Sequence, residues 1–233
     1  MHGIRRTDVR RGSVPPPQEL CKSPEEKALL EAQNGLLQFD EVLRLVDEAV
    51  AAKARFALRP STLQALNRIA IQNVHSGAGV YRNGPVYIEG TNHQPPPAED
   101  VPRLVEGLCD YVNGNWHRSP VHLAAFIMWR LNWIHPFWEG NGRTSRAVSY
   151  LVLCIRLGYR LPGTLTVPEQ IVANREPYYR ALDAADAAEQ LGKQDLSAME
   201  KILDHMLATQ LAGVLKSARD SNPPPGSAPS LSA

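Results

Sequence analysis

The stretch VHLAAFIMWRLNWI, residues 121–134, is apolar on almost every side of a helix. In a chain with no apolar run approaching the ~18 residues of a membrane span, such a helix must lie at the centre of the core. Ser119-Pro120 opens it, and Pro136 closes it by pushing His135 out of the helical region. From Arg143 onward TSRAVSYLVLCIRLGY resumes helical spacing and ends at Gly158. Two buried helices are therefore predicted, joined by HPFWEGNGRTSR, residues 135–146.

Most of the remaining chain reads as further helix. Ser23-Pro24-Glu25-Glu26 starts one over Glu25 to Val50, with Leu29, Leu36, Leu37, Val42, Leu43 and Val46 as its core face and Asn34-Gly35 as a kink or break. Pro60-Ser61-Thr62 opens a second through Leu63, Leu66, Ile69 and Ile71, and Ala98 to Val112 reads as a third. The exception is GAGVYRNGPVYIEG, residues 77–90, where Val80-Tyr81 and Val86-Tyr87-Ile88 flank Asn83-Gly84 and predict a β-hairpin lying on the helices. The fold class expected is mainly α with one hairpin flap.

At 233 residues and 43% hydrophobic content, one domain with trimmings is expected. The reading divides it into a disordered basic and Pro-rich tail at 1–22, N-terminal helices at 23–75, a core at 76–215 and a disordered tail at 218–233. Within the core lie the flap at 77–95, the motif at 135–146 and C-terminal helices at 168–215. A formal net charge of +1 recruits neither nucleic acid nor anionic membrane, so anion handling must be local. Cys21, Cys109 and Cys154 form neither a disulfide framework nor a CxxC metal site, which suits a reducing, cytoplasmic compartment. The N-terminus lacks the apolar region of a secretory signal.

The connecting loop carries the chemistry. Gly140-Asn141-Gly142 opens a helix, where unpaired backbone N–H groups and partial positive charge favour phosphate. Arg143 and Arg146, one turn apart, add guanidiniums that match phosphate oxygens. Glu139 is a poor neighbour for phosphate unless a divalent cation stands between them, and magnesium takes one or two carboxylates plus phosphate oxygens. His135 has the pKa range to accept a proton from an attacking hydroxyl. Each residue also has a plainer reading: a turn, a solvated arginine face, a Glu139–Arg143 pair, a histidine capping its helix. Their coincidence in twelve residues favours the chemical one. His122, by contrast, reads as a structural histidine within its helix.

HPFWEGNGRTSR resembles the Fic signature HPFx[D/E]GNGRxxR at all nine specified positions, with Trp138 at the free one. The likeness extends over roughly 25–210, through the flap-like VYRNGPVYIEGTNHQPPP and Tyr178-Tyr179. It implies a Fic-type helical bundle that transfers AMP from ATP to a Ser, Thr or Tyr hydroxyl of a target protein. By that resemblance His135 is the general base, Glu139 the Mg2+ ligand, and Asn141 with the amides of Gly140 and Gly142 the α-phosphate cradle. Arg143 and Arg146 are then the β- and γ-phosphate clamps, Tyr179 lines the adenine pocket, and Asp186 stands where an asparagine is often seen. Tyr81, Val86, Tyr87 and Ile88 in the flap dock the target as an added strand.

Many Fic proteins are restrained by a glutamate in [S/T]xxxE[G/N]; no Ser or Thr here is followed four residues later by Glu. Asp40 or Glu41 is the candidate substitute, and an inhibitor protein in trans is the other. Two alternative functions follow from the resemblance: a transferase using another donor (UMP, phosphocholine or a phosphoryl group), against which Gly142 argues in the last case, and a non-catalytic peptide-binding module. Neither target nor homodimer formation is written in the spacing.

Overall fold

The computed structural model describes residues 17–52, 56–91 and 93–221, with side chains as far as 214. Eight α-helices follow in order: α1 (Pro24–Ala52), α2 (Pro60–Ile71), α3 (Val101–Gly114, entered through a 3-10 turn at Ala98–Asp100), α4 (Pro120–Ile134), α5 (Asn141–Leu157), α6 (Val167–Ala173), α7 (Glu176–Gln190) and α8 (Ser197–Ser221). The mainly helical class is as expected.

Helix α4 is the axis of the molecule. Ser119 caps it by accepting from His122 N, Pro120 fills the first turn, and Leu123 to Trp129, Leu131 and Ile134 are buried. Helix α5 packs along it, with Val148, Tyr150, Leu151, Val152, Leu153 and Cys154 buried, and ends at left-handed Gly158. Around this pair, α1 and α2 cover α5, α3 covers α4, and α8 lies against α4, α6 and α7. His122 is held on both ring nitrogens, by Tyr111 Oη at 2.9 Å and Glu200 at 2.6 Å, so it ties α3 and α8 to α4.

Helix α1 departs from the expected face. Its buried stripe is Asn34, Gln38, Val42 and Val46, four apart, while Leu29, Leu36 and Leu37 are exposed. The amides win those positions because α2 offers them acceptors: Asn34 donates to Gln72 O and Gln38 to Leu66 O. Asn34-Gly35 leaves the helix unbroken for the same reason. Residues 18–20, part of the expected tail, run antiparallel to 74–76, with Leu20 N on Val74 O and Ser76 N on Gln18 O. Helix α8 likewise continues through 218–221. The rest of both expected tails lies outside the described residues.

The hairpin is the main correction: among the described residues no strand forms, and 86–88 runs as a strap with no regular secondary structure. Asn83-Gly84 is followed by Pro85, which has no N–H to close a two-residue turn onto Arg82 O. Tyr81 instead bridges Phe137, and Arg82 N donates to Pro136 O, so the segment pairs with the 135–146 loop.

Candidate active site

The loop 135–146 is shaped by what meets it. His135 ends α4 in the left-handed conformation (φ 50°, ψ 58°), with its N–H on Leu131 O. Its Nδ1 lies 3.3 Å from Asn132 O. A carbonyl only accepts, so Nδ1 carries the hydrogen and Nε2 keeps its lone pair. Burial, opposed by the Asn132 bond, pushes the His135 pKa down to about 4, and the charges of Arg82 and His93 act in the same direction. The imidazole is therefore a neutral base across the physiological range.

Gly140 follows in the left-handed region (φ 78°), where a Cβ would stand 2.6 Å from Ile71 Cγ2. Asn67 of α2, buried among apolar neighbours, donates to Glu139 O and Thr144 Oγ1 and accepts from Gly79 N, tying loop, helix and strap together. No side chain caps α5, so the first N–H groups after Gly140 face the site as free donors. Asn141 is buried and spends its amide on Phe137, accepting from its N and donating to its O. Its side chain thus fastens the loop that the backbone amides line.

The charges are unevenly matched. Arg143 Nη2 is 3.2 Å from both Glu31 of α1 and Glu139, and Nη1 donates to Ala70 O. Arg146, one turn on, has no acid within ion-pair distance among the described residues; burial lowers its pKa, and Tyr178, Arg175, Arg143 and Tyr179 surround it. Asn132 donates to Ser145 Oγ and to Tyr178 Oη, so α4, α5 and α7 meet beside that cation. Tyr179 is exposed, its ring 5.7 Å from Tyr178. Asp186 accepts from Trp129 Nε1 at 2.8 Å and lies 3.7 Å from His93 Nδ1; burial raises its pKa.

Among the described residues no three His, Cys, Asp or Glu converge on a metal position. Glu139, partly exposed at the mouth of the α5 N-terminus, is a single carboxylate. That donor set suits Mg2+ whose remaining ligands are phosphate oxygens and water, and suits zinc poorly. In the strap Tyr81 packs on Phe137 at 5.5 Å, Val86 and Ile88 are half-buried, and Tyr87 is 93% exposed. A Cβ on Gly84 would sit 3.1 Å from Trp138 Cη2, so the loop tryptophan covers the strap's turn.

Spacing alone missed Arg82, Asn67, Asn132, Glu31 and Arg175. Asn67 was signalled by an amide on the apolar face formed by Leu63, Leu66 and Ala70. Arg82, within an apolar run, carried no more signal than any turn arginine.

The two central helices of the bundle present a neutral histidine, an uncapped helix N-terminus and an arginine without an acidic partner among the described residues, a set of groups whose chemistry suits phosphate. Comparison with known proteins finds a match to the Fic/DOC family model over residues 57–153. It is 29% identical over 160 residues to the protein adenylyltransferase Fic of Drosophila willistoni, covering 67% of this chain and 30% of that one. For the protein of the same name from Nematostella vectensis it is 28% over 165 residues, covering 69% and 36%. The chain thus spans about a third of these relatives' length. Among solved structures, Fic-1 (residues 134–508) from C. elegans aligns with a TM-score of 0.62 and 25% identity, covering 85% of this chain and 54% of that one. A Fic-domain-containing signaling protein from Bacteroides thetaiotaomicron aligns with a TM-score of 0.65 and 24% identity, covering 82% and 74%, and supports the fold.

Proposed function

We propose that the protein transfers AMP from ATP to a Ser, Thr or Tyr hydroxyl of a target protein, releasing pyrophosphate. The observation that carries this reading is the neutral His135, its Nε2 lone pair free, beside the uncapped N-terminus of α5 and the unpaired Arg146. His135 Nε2 takes the hydroxyl proton as the oxygen attacks the α-phosphorus and the bond to pyrophosphate breaks. The amides after Gly140 stabilise charge developing on the α-phosphate, and Arg143 and Arg146 hold the departing pyrophosphate. Glu139 would hold Mg2+, which supplies charge neutralisation at the phosphates. The strap at 86–88 offers main-chain hydrogen bonds to a strand of the target, placing its hydroxyl with little demand on sequence.

Incubation with ATP, Mg2+ and a lysate, followed by mass spectrometry, should find AMP on hydroxyl side chains. His135→Ala should abolish it with the fold intact; labelling that survives defeats the mechanism. A second reading, a different nucleotide donor, is favoured by one observation. The Asp186 carboxylate, where an asparagine is often seen in the family, is already engaged by Trp129 and His93. The same assay with GTP, UTP and CTP separates the two by the mass added.

A further inference from the structure

Arg82 is 2% exposed and has no acid within ion-pair distance among the described residues. Its guanidinium donates to four backbone carbonyls: Nε to His135 O at 2.7 Å, Nη2 to Ile134 O at 3.2 Å and Pro96 O at 2.5 Å, and Nη1 to Gly84 O at 3.1 Å. Its own N–H adds Pro136 O at 2.9 Å. One residue therefore holds three successive carbonyls, 134 to 136, where α4 gives way to the loop. These are groups that a helix C-terminus leaves unpaired, at the negative end of its dipole. The residue between them, His135, is left-handed, a conformation that non-glycine residues avoid.

We propose that Arg82 is the positioning residue for His135. By clamping the Ile134 and His135 carbonyls it keeps the left-handed turn that aims the imidazole at the mouth of α5. Because the same fork grips Gly84 and Pro96, it couples the aim of the base to the seating of the strap. The planar, five-donor guanidinium is required; a lysine ammonium is a compact point charge that cannot span four carbonyls. Arg82 touches none of the reacting atoms. The inference rests on the AMP-transfer reading for its kinetic consequence and stands apart from it for its structural one.

Kinetically, Arg82→Lys should lower kcat by about 100-fold, the cost of a base displaced by an ångström, with KM for ATP changed less than about threefold. Methylguanidinium should restore part of the rate to a folded Arg82→Ala variant. A folded Arg82→Lys enzyme with wild-type kcat overturns the proposal, as does an equal loss in ATP binding. Structurally, thermal unfolding of Arg82→Lys is compared in the wild-type and His135→Gly backgrounds. Glycine takes the left-handed turn unaided, so the fall in Tm should be smaller by a few degrees in the glycine background. If Arg82→Lys fails to fold in the wild-type background, recovery of the fold with His135→Gly supports the clamp. Equal losses in both backgrounds, including failure to fold in both, overturn it. This second arm needs no activity, so it separates failure of the clamp from failure of the AMP-transfer reading.

Discussion

At His135 the ordinary histidine proton affinity has been taken away by burial, with a measurable consequence for pH dependence. The acid limb of kcat/KM should lie near pH 4, the value to which the group is pushed, instead of near 6.5. For stability the sign is opposite to that of a salt-bridged histidine. Below about 6.5 the unfolded chain takes up a proton that the folded site refuses, so this contribution is present above 6.5 and falls as pH drops toward 4. His135→Gln should flatten urea-measured stability over that window. Arg143 carries a different consequence, because Glu31 and Glu139 both hold it while Arg146 stands free. Glu31→Ala should lower the ATP KM by about two- to fivefold, the worth of a partly exposed ion pair. Glu41 is bound to Arg44 and Asp40 is exposed, so an Asp40→Ala, Glu41→Ala double variant should keep wild-type activity within about twofold.

Two junctions show how elements set the site. The α4–α5 connection turns on Gly140, where a methyl group meets Ile71 of α2 and the backbone is left-handed. Gly140→Ala should cost about 2–4 kcal/mol in urea unfolding, from strain and overpacking together. Helix α1 presents the contrary case. Leu36 is 71% exposed despite its place in the apolar pattern, so Leu36→Glu should change stability by less than about 0.5 kcal/mol. Both outcomes invert a reading from hydrophobicity alone, and for one reason. A position's cost is decided by the element facing it: α2 closes on Gly140, whereas α1 turns its amides onto α2 and leaves its leucines in solvent.

At the scale of the whole molecule, one amide of α8 reaches three other segments. Gln210, 1% exposed, reaches Tyr150 Oη, Pro162 O and Val167 N, joining α8 to α5, to the chain before α6 and to α6. Gln210→Ala should cost about 1–3 kcal/mol by leaving those groups unpaired, read as a lower urea midpoint with an unchanged m-value. The sequence by itself determined the helical class, the burial of α4 and α5 and the loop that joins them. Those follow from apolar periodicity, from Pro136 and from glycine spacing, all local properties of the chain. Only the tertiary structure decided which face of α1 is buried, that Arg82 N pairs with the 135–146 loop, and that the Arg82 guanidinium grips the backbone of His135. Each depends on a donor or acceptor supplied by a distant segment: Gln72 and Leu66 for the α1 amides, Pro136 for Arg82 N, Ile134 and His135 for its guanidinium. Such hydrogen bonds leave no period in a sequence, because they are satisfied across the fold and not along the chain.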